Sequence, residues 1–170
     1  DIIKEIEGLV ADGVVEVMLL GQNVNSYGKD LGLGVDFADL LKTLSELPGD
    51  FILRFMTSHP KDFNEDVVKV MEKHRKICRL VHLPVQSGSD SVLKAMNRRY
   101  TSAQYLEEIK MLRSRLPGAE VTTDIIVGFP GETEEDYLAT EELVKKADFA
   151  SAFTFVYSPR TGTKAAAMEN

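Results

Sequence analysis

Residues 120–136, EVTTDIIVGFPGETEED, predict one complete strand–turn–helix unit. The stretch Glu120–Val127 is rich in β-branched side chains, which is typical of a buried strand, and residues 128–131 contain the glycines and proline of a turn. Thr133 with Asp136 three residues later forms the pattern of a capping box, so we expect a helix to begin there. The same order recurs along the rest of the chain.

Four more apolar runs predict strands, over 14–20, 51–56, 79–85 and 149–157. Helices are predicted over 1–12, 36–47, 64–73, 90–96, 101–116 and 133–147. Strict alternation of this kind predicts parallel strands with crossover helices, and parallel strands are expected to be covered on both faces. Because the chain begins on a helix, we expect a first strand to precede it. The predicted fold class is therefore α/β, a partial (β/α)6 TIM-like barrel that lacks its first strand.

Composition favours an ordinary globular domain. The 170 residues are 44% hydrophobic and 28% charged, which excludes disordered and collagen-like classes and predicts a single domain over 1–170. No apolar run approaches the roughly 18 residues that span a bilayer, and no signal-peptide pattern opens the chain. These features predict a cytoplasmic protein with no membrane partner.

Charge and cysteine content restrict the partners. The formal net charge is −7, whereas a domain that binds nucleic acid by itself usually carries a basic face. Any RNA contact must therefore use a local basic patch or a domain outside this chain. The single cysteine, Cys78, cannot form an internal disulfide or a Cys-rich metal site.

Polar and turn residues follow all five predicted strands, although packing does not demand them. In parallel βα folds, functional groups gather at the carboxyl ends of the strands, which we call the rim. We therefore expect these segments to share a pocket for a small molecule. They are GQNVNS (21–26), TSHP (57–60), QSGSD (86–90), GFPGE (128–132) and YSPR (157–160).

Each rim residue also has a purely structural interpretation. Gln22 and Asn23 could bind the polar head of a ligand or close the loop. His59 precedes Pro60 and is therefore held extended, where it could act as a base, contact a substrate or stabilise the turn.

The next two segments leave the same choice open. Gln86, Ser87 and Ser89 suit ribose hydroxyls or a carboxylate, yet they could equally cap the following helix. Arg98 and Arg99 lie between two predicted helices, where a guanidinium could bind a carboxylate bidentately or simply be solvated.

The GFPG turn would let the backbone approach a flat ring, and Phe129 could stack on that ring; a plain strand–helix turn is the alternative. His74 and His82 are interpreted as structural. We find no cluster of metal ligands, Ser-His-Asp arrangement or P-loop in the sequence. The residues alone thus predict a βα-barrel fragment with a polar rim that binds a small molecule.

Five blocks of the sequence resemble the radical S-adenosylmethionine (SAM) core of the methylthiotransferase family. They extend over nearly the whole chain in the order and spacing of that family. The GQNVNSYG segment favours the tRNA 2-methylthio-isopentenyladenosine synthases over the sister enzymes that modify an aspartate of a ribosomal protein. The blocks are VEVMLLGQNVNSYG (15–28), RFMTSHPK (54–61), HLPVQSGSDSVLKAMNRRYTS (82–102), TTDIIVGFPGETEED (122–136) and FVYSPRTGT (155–163).

The resemblance implies a barrel of the radical SAM type and a defined chemistry. In that family a 4Fe-4S cluster on a CxxxCxxC loop binds and reductively cleaves SAM, and the resulting radical takes hydrogen from C2 of an adenine next to the anticodon. A second cluster supplies sulfur, and another SAM supplies the methyl group. The cluster loop, the N-terminal cluster domain and the C-terminal RNA-binding domain are not in this sequence.

Consequences for this chain follow from the resemblance. We expect it to lack the first strand and cluster loop, to hold no cluster and to be inactive by itself. We also expect its open barrel edge to self-associate, and tRNA to be bound mainly by a domain absent here. A ribosomal-protein methylthiotransferase and a non-catalytic βα scaffold for a nucleotide-like ligand are the alternatives.

The resemblance also implies a set of site residues. Arg98 would pair with the carboxylate of SAM, and Asp124, Gly128 and Phe129 would line its adenine side. The substrate is assigned to His59 and Arg99. The full set predicted to bind the cofactor is Gln22, Asn23, Ser58, Gln86, Ser87, Arg98, Asp124, Gly128, Phe129 and Tyr157.

Overall fold

A computed structural model of the chain describes residues 1–29, 32, 34–56 and 59–168. All five predicted strands and all six predicted helices are present. The strands are β1 Glu16–Leu19, β2 Ile52–Phe55, β3 Leu80–His82, β4 Glu120–Val127 and β5 Ser151–Val156. The helices are α1 Ile2–Ala11, α2 Phe37–Ser45, α3 Glu65–Lys73, α4 Asp90–Ala95, α5 Ser102–Arg115 and α6 Glu134–Ala147.

The strands run parallel and lie in chain order, which confirms the predicted βα pattern. β1 pairs with β2, β3 with β4, and β4 with β5. Between β2 and β3 the link is a single parallel bridge, Leu53 to Ile77. There the Leu53 N–H donates to the Lys76 carbonyl at 2.8 Å, and the Cys78 N–H donates to the Leu53 carbonyl at 2.8 Å.

Only one face of this sheet is covered by helices, so the expectation of two covered faces is wrong for the described residues. α2, α3, α5 and α6 pack in succession. Leu53 of β2 and Val121 of β4, which are turned toward the helices, are fully buried, whereas all six residues of β5 are exposed. Five strands do not close on themselves, so alternate side chains stay accessible on what we call the open face. The open face carries Met18, Ile52, Leu80, Phe153 and Phe155, which are 37–57% exposed.

Helix starts follow the predicted caps. Thr133 and Asp136 form the expected reciprocal capping box, and Asp36 and Thr101 begin α2 and α5 in the same way. Each box satisfies two backbone N–H groups that the first turn of a helix leaves unpaired. Because these helices run antiparallel to the strands, their capped ends lie at the rim.

β3 is shorter than predicted, for a local chemical reason. Pro84 has no N–H to donate, and the Val85 N–H donates to the side-chain hydroxyl of Thr123 at 2.9 Å instead of to a β4 carbonyl. The Leu83 N–H still donates to the Thr122 carbonyl at 2.8 Å. The segment therefore follows β4 as far as the rim without forming a regular ladder.

Both outer strands have one free edge. Among the described residues β1 is paired only with β2, and β5 only with β4. Self-association through such an edge stays a prediction. Within the same ranges, no helix combines the length and the apolar character that crossing a membrane would require.

Candidate functional site

A cavity of about 510 Å³ opens at the rim between β4, β5 and the segment after β5. We call it the rim pocket. It brings together three of the predicted cofactor residues, Gln86, Asp124 and Tyr157. Apolar walls come from Ile126 and Phe155 of the open face, so the pocket joins polar groups to a flat apolar surface.

Gln86 is held in a conformation that is unusual for its residue type. Its φ is +73°, in the left-handed region that favours glycine. Two bonds to β4 fix it there: its N–H donates to the Asp124 carbonyl at 2.8 Å, and its own carbonyl accepts the Ile126 N–H at 2.9 Å. Gln86 is 8% exposed and lines the rim pocket. Backbone strain imposed by surrounding structure is a common property of ligand sites.

Asp124 is oriented by a neighbour on β3. Its carboxylate lies 3.5 Å from the His82 Nε2 atom and its side chain is 28% exposed. The other ring nitrogen, Nδ1, lies 2.9 Å from the Thr122 hydroxyl, so the imidazole is held at both ends. We interpreted His82 from the sequence as structural, and its place beside Asp124 was missed. The β3–β4 register, which brings His82 and Thr122 together, is the signal that could have found it.

Tyr157 and Phe129 form an aromatic pair at the edge of the rim pocket. Their ring centroids are 5.2 Å apart at an interplanar angle of 69°. Phe129 is 6% exposed, and stacking of a ligand on its ring stays a prediction. The Tyr157 hydroxyl is buried and has no hydrogen-bond partner within the described ranges, which leaves a donor and acceptor available beside the pocket.

Gly128 has an exposed backbone at the turn after β4. Its φ is +71°, and a Cβ added there would meet no atom within 4 Å. Its N–H donates to the Glu132 carboxylate. The space above this glycine is compatible with close approach of a flat ring.

Ser87 is turned away from the rim pocket. Its hydroxyl is fully buried and lies 3.2 Å from the Thr140 hydroxyl on α6. The Thr140 hydroxyl also accepts the Gly88 N–H at 2.9 Å. Both residues thus fasten the rim loop to α6, and Ser87 is not among the described residues that line the rim pocket.

Asp136 fastens the same loop from the other side. Its carboxylate accepts hydrogen bonds from the hydroxyls of Ser89 and Ser91, and from the backbone and hydroxyl of Thr133. These donors, the Ser89 hydroxyl first, hold the pKa of Asp136 well below its usual range. The carboxylate therefore stays charged and ties the start of α4 to the start of α6.

Asn23 lies beside a different cavity, and Gln22 precedes it in the same loop. The loop after β1 borders a space of about 620 Å³ between α1, β1 and α2. Asn23 lines it and donates from Nδ2 to the Asp62 carboxylate at 2.6 Å, while Gln22 is exposed. Asp62 also pairs with Lys29, a contact between two rim loops that the sequence did not suggest. Asn25 was missed as well: it is 5% exposed, and neither of its amide atoms has a hydrogen-bond partner among the residues that the structure describes.

The remaining predicted residues occupy a third place. Arg98 and Arg99 border a cavity of about 360 Å³ at the turn between α4 and α5, not the rim pocket. The His59 ring lies 5.7 Å from the Tyr100 ring, in edge contact. Ser58 lies outside the described residues. The predicted set is therefore divided among three places along the rim, and one cavity gathers only part of it.

The chain's own side chains do not fit an iron–sulfur cluster. Cys78 is its single cysteine, and the residues that the structure describes contain no group of three or more His, Cys, Asp and Glu side chains able to hold a metal ion.

A family model described as the Radical SAM superfamily matches residues 1–144. The chain belongs to the radical SAM superfamily. Two solved radical SAM enzymes share the fold of this chain at low sequence identity. Coproporphyrinogen III oxidase (HemN) from Escherichia coli aligns with a TM-score of 0.72 at 16% identity, over 99% of this chain and 38% of that one. The cobalamin-dependent enzyme OxsB aligns with a TM-score of 0.67 at 10% identity, over 98% and 24%. These matches confirm the predicted partial α/β barrel of the radical SAM type.

Curated relatives match this radical SAM chain over its full length. The tRNA-2-methylthio-N(6)-dimethylallyladenosine synthase of Lachnoclostridium phytofermentans is 57% identical over 170 residues, which are 37% of that protein. The protein of the same name from Fusobacterium nucleatum is 51% identical over 170 residues, 39% of its length. The chain thus spans little more than a third of the relatives that it matches.

Proposed function

We propose that this chain is the radical SAM core of a tRNA methylthiotransferase, which adds a methylthio group to C2 of an isopentenylated adenosine next to the anticodon. One observation carries the proposal: the chain is 57% identical, from end to end, to a tRNA-2-methylthio-N(6)-dimethylallyladenosine synthase. Because it spans 37% of that relative, the activity, the tRNA substrate and a cytoplasmic location are all proposed for the intact protein.

Within this proposal the rim pocket takes the nucleoside part of SAM. SAM, when bound, would supply the radical that abstracts hydrogen from the substrate. Asp124 accepts hydrogen bonds from the ribose hydroxyls, because a carboxylate has acceptor sites for both members of a vicinal diol. His82 keeps that carboxylate turned toward the pocket.

Gln86 and Tyr157 complete the polar side. The Gln86 amide offers a donor and an acceptor, and the unpaired Tyr157 hydroxyl gains a partner when a ligand enters. The open backbone of Gly128 leaves room for the adenine ring. Arg160 lines the rim pocket itself and is the proposed partner of the SAM carboxylate there. Arg98, to which the resemblance assigns that carboxylate, borders the separate cavity between α4 and α5.

The test uses the intact protein with its clusters reconstituted anaerobically. It is incubated with SAM, a reductant and tRNA that carries isopentenyladenosine, and the digested nucleosides are analysed by mass spectrometry. We expect the mass of a methylthio group on that nucleoside. If the protein instead methylthiolates the ribosomal-protein aspartate, it is a ribosomal-protein methylthiotransferase and the proposal is wrong. If it forms neither product and does not bind SAM, the chain is better described as a non-catalytic βα scaffold.

The role of Asp124 is tested by measuring the SAM affinity of the same reconstituted protein. Asp124→Asn keeps the shape but loses the charge, and we expect it to weaken SAM binding by about tenfold, the scale of one charged hydrogen bond. Asp50→Asn, at an exposed position before β2, is the matched control and should bind SAM like the wild type. Equal SAM affinity for Asp124→Asn and wild type would remove Asp124 from the cofactor site.

A further inference from the structure

A groove runs along the outer side of the turn between α4 and α5, separate from the rim pocket. It consists of two adjoining cavities of about 360 and 620 Å³, which share Arg99, Tyr100 and Gln104 as a common wall. We call it the outer groove. Lys94 and Arg98 line the smaller cavity together with Arg99.

The cations of the outer groove are not neutralised locally. Lys94, Arg98 and Arg99 take part in none of the ion pairs formed among the described residues. The carboxylate in the smaller cavity is Asp90, which accepts the Ser102 N–H at 2.7 Å. Three cations thus face one carboxylate, on a chain whose formal net charge is −7.

The larger cavity adds little negative charge beside Arg99. Glu107 lies 3.4 Å from the Lys110 ammonium, which offsets its charge. Burial raises the pKa of the Glu108 carboxyl to about 8, so that group is mostly neutral at pH 7. An anion that enters the outer groove therefore meets a net positive field.

The backbone that carries these cations is rigidly anchored to the rim. The Arg98 N–H donates to the Leu93 carbonyl at 2.8 Å, closing the end of α4. The Tyr100 hydroxyl donates to the Val85 carbonyl at 2.9 Å, one residue before Gln86 of the rim pocket. The outer groove is thus joined by this hydrogen bond to the segment that carries Gln86 of the rim pocket.

We propose that Lys94 and Arg99 in the outer groove contact backbone phosphates of the RNA substrate. This inference rests on the proposed function and adds a surface on this chain that binds the RNA. A nucleotide whose base reaches the open end of the barrel must carry its neighbouring phosphates past the rim. Gln104, whose Oε1 accepts the Thr101 N–H, keeps its amide N–H groups as neutral donors to the same strand.

The experiment measures RNA binding by the intact protein. A fluorescent anticodon stem–loop is titrated with wild type and with the double variant Lys94→Gln/Arg99→Gln at several salt concentrations between 50 and 200 mM. The matched control is Lys42→Gln/Lys73→Gln, which removes two exposed lysines of α2 and α3, neither of them in an ion pair among the described residues. SAM affinity is measured for all three proteins.

For the Lys94/Arg99 variant we expect about tenfold weaker RNA binding near 0.15 M salt. The slope of log K against log salt should also fall by about 1.4–1.8, because each lost phosphate contact contributes about 0.7–0.9. SAM affinity should not change, and the control pair should keep the wild-type slope.

A variant whose salt slope equals that of the wild type would overturn the proposal, as would an equal loss in the control pair. Poly-glutamate is tested as a second ligand. If the Lys94/Arg99 variant loses poly-glutamate binding but keeps RNA binding, the groove is assigned to an acidic protein partner instead. These outcomes are independent of the methylthiolation assay. If the wild type fails to modify tRNA, the proposed function fails, while the salt slope still decides whether the groove binds RNA.

Discussion

Replacing Thr123 with valine should loosen the segment that carries Gln86. Thr123 is fully buried on β4, and its hydroxyl accepts the Val85 N–H at 2.9 Å and donates to the Leu83 carbonyl at 3.0 Å. Valine has almost the same shape but no acceptor. The Leu83 carbonyl keeps the Tyr105 hydroxyl as a donor at 2.6 Å, so the Val85 N–H is the group left buried without a partner.

The magnitude follows from that single orphaned donor. A buried N–H without a partner costs about 1–3 kcal/mol, and we expect Thr123→Val to lower the free energy of unfolding by this amount. Thermal unfolding of the intact protein measures the loss. Hydrogen exchange of the peptide that contains Val85 locates it, because the unpaired amide should exchange faster than in the wild type.

Two controls separate the hydroxyl from the rest of the side chain. Thr154→Val, on the exposed strand β5, should change stability by no more than about 0.5 kcal/mol. Thr123→Ser retains the hydroxyl and should keep the Val85 amide protected, even where the lost methyl group lowers stability. A Thr123→Val protein with wild-type stability and an equally protected Val85 amide would refute this account of how the rim segment is held.

Two further predictions concern packing and pH. Gly88→Ala should destabilise the protein by about 1–3 kcal/mol in thermal unfolding, because the new Cβ would lie 2.5 Å from the Ala139 carbonyl oxygen of α6. The control is Gly8→Ala in α1, where a Cβ meets no atom within 4 Å and should stabilise the protein by about 0.5–1 kcal/mol. Equal effects of the two substitutions would contradict close packing at Gly88. Because the pKa of Glu108 is about 8 in the folded protein against 4.5 ordinarily, the unfolded chain loses that proton first, so stability should fall as pH rises from 4.5 to 8. Glu108→Gln should flatten that part of the melting-temperature profile and raise stability at pH 7 by about 1–2 kcal/mol, less than the full shift because the group is partly exposed; an unchanged profile would argue against a neutral Glu108.

Local signals predicted the fold well because each acts within a few residues. Caps such as Thr133 with Asp136 and apolar runs such as Glu120–Val127 give the elements and their order. The predicted end of β3 was wrong, because the strand ends where Val85 bonds to Thr123, which lies 38 residues further along the chain. The prediction that both faces of the sheet are covered was wrong, because the second face is covered only if the strands close into a barrel.

The candidate site was predicted only in part, for a related reason. A motif locates a loop but not the direction of each side chain in it. Gln86 lies at the rim pocket, yet the neighbouring Ser87 turns inward to Thr140, and Phe129 lies in edge contact with Tyr157. Pairs between distant strands, such as that of His82 with Asp124, appear only when the register is known.

The single bridge between β2 and β3 has a mechanical consequence. Two hydrogen bonds at Leu53 join the first two strands to the other three, whereas β4 and β5 share a ladder six residues long. Few hydrogen bonds resist opening along this line, so we expect amide hydrogen exchange to be faster there than in the β4–β5 ladder. The Asn23 loop and Gln86 lie on opposite sides of it, and their separation therefore depends on the least-bonded part of the sheet.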